Sequence, residues 1–341
     1  DGYWIKEDRW PSKAIKNKKL YLRSNNVLSL SNKKNKCQLG VIDSPQHCGL
    51  KGGEYCAIWL GPELPGDQRL DDALSLCFDT NDLVLEEDIV GSPELTITLE
   101  ANSPNGQLAV RLCDVFPDGK SSRITYGILN LRFRESFDSP KNISLGKEFT
   151  VKIKLDHIAY KLPKGNKLRL SLSNAYWPLV WPVSNPAKLV VKEGYLSLPL
   201  RQSAKSDEWV FPKSVVSKPW QGKEIRKPCN KRQVLFDEAT DAVFLDIEDD
   251  FGSYKDLKNN LIISSTAREK WSIHPNDPLS AKGETHWTEE RSRGDWSIRT
   301  ETFSSMTSDK SYFYLKARVE AYEKAKLIFK KKMESKIKRV L

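Results

Sequence analysis

Between about residues 74 and 200 the chain alternates apolar with polar positions, the period that buries one face of a β-strand. The clearest stretches are Leu95-Thr96-Ile97-Thr98-Leu99, Phe149 to Leu155, and Leu168-Arg169-Leu170-Ser171-Leu172. Leu108 to Val115 reads as a further strand, closed by the turn formers Pro117-Asp118-Gly119, and Ile124 to Phe133 as its hairpin partner. Pro163-Lys164-Gly165-Asn166 marks another turn. Short strands punctuated by Pro and Gly, with no long helical pattern, predict a β-sandwich or jelly roll. Residues 1–73 hold few periodic segments and many turn formers, and predict a loop-rich cap.

The pattern changes after residue 200. Pro212, Pro219 and Pro228 among many Lys and Ser predict a linker over 206–232. Alternation then returns in Val243 to Ile247, Leu261 to Ile263, Trp296 to Phe303 and Phe313 to Val319. The Ala, Glu and Lys of 316–338 also suit a helix. Strict alternation of Phe313, Leu315, Ala317, Val319 and Ala321 favours a strand. The expected layout is all-β: a jelly roll over 1–205, the linker, and a second antiparallel β domain over 233–341.

Composition is that of a globular protein, 39% hydrophobic and 29% charged, and ten Trp can anchor a substantial core. No apolar run is long enough to predict a membrane span. The opening Asp1-Gly2-Tyr3-Trp4 has no charged or apolar signal-peptide region and no Met, and reads as cut from something longer. Net charge is +10 but lies at the ends: residues 1–36 and 316–341 each hold ten Lys/Arg against three Asp/Glu, leaving about −4 between them. Basic ends on a mildly acidic body argue against a nucleic-acid partner, which needs a basic face interleaved with readers. Six cysteines form no C-x-x-C pair, and Cys77 and Cys113 sit in apolar runs as buried thiols do, so a reduced, cytoplasmic protein is expected.

Catalytic chemistry is hard to find. No G-x-S-x-G nucleophile elbow occurs. The four histidines are His47, His157, His274 and His286. His157 is expected to be a structural, hydrogen-bonded residue at a strand end, and His274 and His286 to lie in loops without a nucleophile. Cys48 beside His47 is adjacent in sequence, which does not set thiolate against imidazole. Cys37, His47, Cys48 and Cys56 match no zinc spacing, and packing is the preferred role. Asp246, Glu248, Asp249 and Asp250 lack the Gly and terminal Glu of a calcium loop and read as an exposed acidic turn. Asp71 and Asp72 could act as an acid/base pair, but beside Arg69 they read as strand-entry and ion-pair residues. No catalytic residue, metal or cofactor is expected in this chain.

Four strings go further: Gly66-Asp67-Gln68-Arg69-Leu70-Asp71-Asp72-Ala73-Leu74-Ser75-Leu76, Ala109 to Val115 before its Pro-Asp-Gly turn, Gly127 to Leu131, and Leu168 to Pro182 with Tyr176-Trp177-Pro178 and Trp181-Pro182. Their order and spacing over about 1–200 resemble the C-terminal domain of CocE/NonD hydrolases, the X-Pro dipeptidyl-peptidase C-terminal domain. Gly2-Tyr3-Trp4 to Trp10-Pro11 looks like that domain's first strand. Asp277 to Ala281 and Arg293 to Trp296 look like the family's long form. The resemblance implies a galactose-binding-like jelly roll packed on an α/β-hydrolase half. That half carries the Ser-Asp-His triad and acts on a small acyl or peptide substrate. This chain begins where it would end. The loop before the Asp-Gln-Arg string is the part expected to approach the substrate, with Tyr55, Ile58, Trp59 and Leu60 as a pocket wall and Tyr176, Trp177 and Trp181 as structural anchors. A free-standing carbohydrate-binding module and an assembly module are the alternatives.

Overall fold

The computed structural model describes residues 2–33, 37–57, 63–202 and 210–339. These form two units: Asp1–Gly52, Pro65–Tyr176 and Asn185–Val216 in the first, and Gly53–Leu64, Trp177–Ser184 and Ser217–Leu341 in the second. Both are β-sheet structures, as the periodicity predicts.

The first unit contains one twelve-stranded sheet. Its strands are β1 (Ile15–Arg23), β2 (Val27–Ser29), β3 (Gly40–Ile42), β4 (Leu76–Asp79), β5 (Glu87–Gly91), β6 (Glu94–Ala101), β7 (Gln107–Val115), β8 (Ser121–Asn130), β9 (Glu148–Lys154), β10 (Ile158–Leu162), β11 (Lys167–Ser173) and β12 (Leu189–Arg201). The alternating stretches do what their period requires. Leu95, Ile97 and Leu99 of β6, Val151 and Ile153 of β9, and Leu168, Leu170 and Leu172 of β11 all turn into one core. Strand β12 is the hub: it pairs with β1, β3, β5 and β6, and its pairing with β6 carries a bulge between Val191 and Glu193. The sheet wraps Leu22, Ile42, Phe78, Ile89, Leu112, Leu189 and Leu198, all fully buried.

The hairpin expected around Pro117-Asp118-Gly119 joins β7 to β8, with the Phe116 N–H donating to Lys120 O (2.9 Å) and Gly119 at φ +85°. Three expectations are corrected. Residues 2–14 hold no strand; Trp4 and Trp10 are exposed, Pro11 has no N–H to pair, and the first strand starts at Ile15. The N-terminal 73 residues are not merely a cap, since β1 to β3 are built into the sheet. His157 is exposed on the link between β9 and β10, beyond the last residue that β6 pairs.

The second unit carries an eight-stranded antiparallel sheet: β13 (Gly222–Arg226), β14 (Cys229–Asp237), β15 (Ala242–Asp256), β16 (Ile262–His274), β17 (Asp277–Arg293), β18 (Trp296–Ser308), β19 (Tyr312–Glu323) and β20 (Lys326–Lys338). Strand β13 and the start of β14 fall inside 206–232. Residues 316–338 form strands, not a helix, turning at Lys324 (φ +53°). Arg293-Gly294-Asp295-Trp296 is a hairpin turn with Gly294 at φ +56°. His274 ends β16 and His286 lies in mid-β17, stacked on Phe303 at 4.1 Å, so neither is a loop residue. The acidic residues 246–250 are likewise not a turn: they run through β15 on alternate faces, Asp250 pairing with Arg226 and Asp249 with Asn230.

Gly127, from one of the distinctive strings, has a steric reason to be glycine. A Cβ there would lie 2.6 Å from Lys154 O and 2.9 Å from Leu155 Cδ2. Gly127→Val should therefore destabilise the first unit by about 1–3 kcal/mol or more, read as a lower midpoint in urea unfolding.

Candidate functional site

The Asp-Gln-Arg string folds into a short helix, α1 (Arg69–Ala73), whose two aspartates are buried. Buried carboxylates need donors. Asp71 accepts the backbone N–H of Gly49 (3.0 Å) and of Lys51 (2.9 Å), with Arg111 Nη1 at 3.9 Å. Asp72 accepts Ser121 Oγ and Ser171 Oγ (both 2.7 Å), with Arg111 Nη2 and Arg169 Nη1 at 3.2 Å. Arg111, fully buried in β7, also donates to Gln68 Oε1 (3.0 Å) and Ser75 Oγ (2.8 Å). Arg169 completes the set by forking onto Asp79 (2.7 and 2.8 Å). Burial raises the Asp71 pKa against the pull of Arg111 and the two N–H groups. Burial also opposes the Arg111 charge, but Cys113, Cys48, Asp72 and Asp71 around it outweigh that and raise its pKa.

This cluster clamps the base of a loop. Gln68 Nε2 donates to Lys51 O (2.6 Å) and Gly66 O (2.8 Å), and the Gly66 N–H donates to Lys51 O (3.1 Å). Residues 49–51 and 66–68 are thus tied to each other and to Arg111. At Gly52 a Cβ would meet Tyr176 Oη at 3.0 Å, so glycine lets the loop leave beside that ring. The segment Gly53–Leu64 belongs to the second unit, where the Glu54 N–H donates to Glu63 O (2.9 Å) and Arg232 pairs with Glu54 (2.8 Å). Tyr55 is 86% exposed. Ile58, Trp59 and Leu60 lie outside the described residues.

Tyr176 is buried in the first unit; its hydroxyl accepts from Arg123 Nη1 (2.6 Å), and its ring lies 6.0 Å from Arg111. Trp177 and Trp181 are in the second unit. Trp177 is buried, with ring centroids 5.4 Å from Trp181 and 5.9 Å from Trp271. Trp181 Nε1 donates to Ser308 Oγ (2.9 Å), and Arg339 closes the cluster through Pro182 O (2.7 Å) and Ser308 Oγ (2.9 Å).

The structure does not bring the other candidates into chemical register. Cys48 lies against Asp71 and Ser75, and burial pushes its thiol up to about 11. Burial likewise raises Cys77 to about 11 and Cys113 to about 12. Desolvation lowers the His47 pKa. Asp71 and Asp72 do pair ionically as expected, but at a helix and not at a strand entry, and their lone pairs are engaged by protein donors. Among the described residues no three His, Cys, Asp or Glu are grouped to hold a metal, and no helix is long and apolar enough to cross a membrane. Arg111, Arg169, Ser121 and Ser171 were not foreseen as partners. The available signal was a lone guanidinium inside the apolar run Ala109 to Val115.

The first unit is thus a twelve-stranded β unit built around a buried ion-pair cluster. Residues 1–205 match the X-Pro dipeptidyl-peptidase C-terminal non-catalytic domain, and the chain belongs to that family. It is 26% identical over 137 residues to a cocaine esterase of Rhodococcus sp. (strain MB1 Bresler), covering 39% of this chain and 24% of the esterase. An aminopeptidase from the marine sediment archaeon Thaumarchaeota archaeon shares the fold over 58% of this chain and 39% of its own, with TM-score 0.52 and 16% identity. A CocE/NonD family hydrolase from Staphylococcus aureus matches at TM-score 0.44 and 12% identity over 59% and 40%. The chain therefore spans well under half of each of these relatives.

Three tests follow from these residues. Arg111→Met leaves two carboxylates buried without their guanidinium and should cost about 3–5 kcal/mol in denaturant unfolding, whereas the exposed Arg69→Met should leave the unfolding midpoint essentially unchanged. The exposed thiols Cys37, Cys56 and Cys229 should react with a disulfide reagent at pH 8 in the native protein, and Cys48, Cys77 and Cys113 only after unfolding. Because burial raises these three thiols above the ordinary 9.0, the native state keeps protons that the unfolded chain releases, so stability should fall as pH rises from 9 towards 11.

Proposed function

We propose that this chain is the non-nucleophilic C-terminal part of a serine acyl hydrolase, stabilising an α/β-hydrolase half and walling its substrate pocket. In this reading a Ser of that half attacks an ester or amide carbonyl, peptides after proline included. The leaving group departs as the acyl-enzyme forms, and water then releases the acid. This chain contributes shape and not protons. The observation that carries the reading is the clamped loop: buried Arg111 and Asp71, with Gln68, hold residues 49–51 against 66–68, and exposed Tyr55 stands on the segment between. Tyr55, Ile58, Trp59 and Leu60 form the wall; Tyr176, Trp177 and Trp181 are anchors. Residues 1–205 are the hydrolase-facing domain and 233–341 a second β domain. Free cysteines throughout suit a reducing cytoplasm. The carbohydrate-module reading gains no support from these anchors, because Tyr176 and Trp177 are buried and cannot stack on a sugar.

The test is kinetic. With the α/β-hydrolase half present, Tyr55→Ala should raise KM by about threefold to tenfold and change kcat by less than about twofold. The chain alone should give no serine-reagent-sensitive burst with a p-nitrophenyl acyl ester; such a burst would show that it carries its own nucleophile.

A further inference from the structure

We infer that β20 is a docking edge for an extended segment of another polypeptide, one that alternates acidic with apolar residues. Strand β20 ends the second sheet and, among the described residues, pairs only with β19. All thirteen of its residues are exposed. A strand of that length with one unpaired side presents a row of N–H and C=O groups that a further strand can complete.

Its side chains specify what could be added. The register with β19 and the two-residue period of a strand put Lys330, Lys332, Glu334, Lys336 and Lys338 on one face and Phe329, Lys331, Met333, Ser335 and Ile337 on the other. Glu320 of β19 reaches Lys330 at 2.7 Å, but among the described residues no carboxylate stands at ion-pairing distance from Lys326, Lys331, Lys332, Lys336 or Lys338. The neighbouring strand adds Lys316 and Arg318 on the lysine face, opposite Glu334 and Lys332. Phe329, Met333 and Ile337 are 51%, 42% and 49% exposed. An added strand therefore meets positive charge on one face and apolar surface on the other. Cross-strand pairing favours opposite charges and apolar matches, so the fitting segment alternates Asp or Glu with Val, Ile, Leu or Phe. A second copy of β20 is a weaker occupant, because antiparallel self-pairing over its full length sets Lys332 against Lys332 and Lys326 against Lys338, with Lys330–Glu334 the one oppositely charged pairing.

The experiment uses the full chain and a synthetic peptide of about ten residues that alternates glutamate with valine. Fluorescence anisotropy should show salt-sensitive binding, and amide exchange should slow in β20. Lys332→Glu/Lys336→Glu/Lys338→Glu should weaken binding about tenfold or more, the corresponding Gln variant less, and a lysine–valine peptide should not bind. Circular dichroism checks that each variant keeps its sheet. Equal binding to the triple Glu variant, or binding that leaves β20 amide exchange unchanged, would overturn the inference. So would a short DNA duplex that binds more tightly than the peptide without protecting those amides, since the lysines would then be a polyanion surface, or dimerisation of the chain through β20.

Discussion

Burying Arg111 is the constraint on which the first unit turns. A guanidinium at the centre of a nine-residue strand with every position buried is tolerable only if charges of opposite sign are buried with it. Asp71 and Asp72 meet that condition, and meeting it fixes much else. The aspartates must be adjacent on a short helix, so that one faces Gly49 and Lys51 while the other faces Ser121, Ser171 and Arg169. Gln68 must sit where it can accept from Arg111 and still donate to Lys51 and Gly66. Charge compensation in the core thereby fixes the backbone at Gly49, Lys51 and Gly66. Asp71 and Gln68, which both face Arg111, also fasten backbone, whereas Asp72 gathers side chains from three strands.

The separation of roles between the two units follows the same logic. The first unit has a single large apolar interior, made by strands that each present a hydrophobic face. The second is a meander of long strands whose buried apolar residues are few: Val243, Leu245, Ile247, Ala267, Ile273 and Ala281. There Trp177, Trp181, Trp271 and Phe313 do the work of a core, ring against ring. Gly283, paired across from Trp271, leaves room for that indole; a Cβ would lie 2.5 Å from it.

What could be read in advance depended on whether the determining interaction was local. The β7–β8 hairpin was legible because alternation and the Pro-Asp-Gly turn lie in adjacent residues. The β19 strand was legible for the same reason, but its partner was not: the bulge between Ala321 and Tyr322 shifts the phase, and Lys-rich β20 has no buried face to give a period. Strand β13, Gly222–Arg226, is exposed throughout and carries no hydrophobic signal either. In the candidate site the string Asp67 to Asp72 stood out as a motif, and the ionic role of its aspartates followed from composition. Their partners did not, because Arg111, Ser121 and Arg169 come from separate strands and only the register of β7, β8 and β11 brings them together.

The hub role of β12 has a consequence for synthesis. The first strand of the unit, β1, finds its main partner in the last, and β3, β5 and β6 also pair with that late segment. During vectorial translation β1, β3, β5 and β6 lack this shared partner until residues 189–201 have left the ribosome. Such non-local closure folds slowly and leaves strand edges open to wrong partners in the interval. A chain interrupted just before Leu189 would lack only the final strand of the sheet, yet it would leave β1, β3, β5 and β6 without the partner that holds them together. Nascent-chain chaperones would meet this unit as an open sheet until nearly its last residue is made.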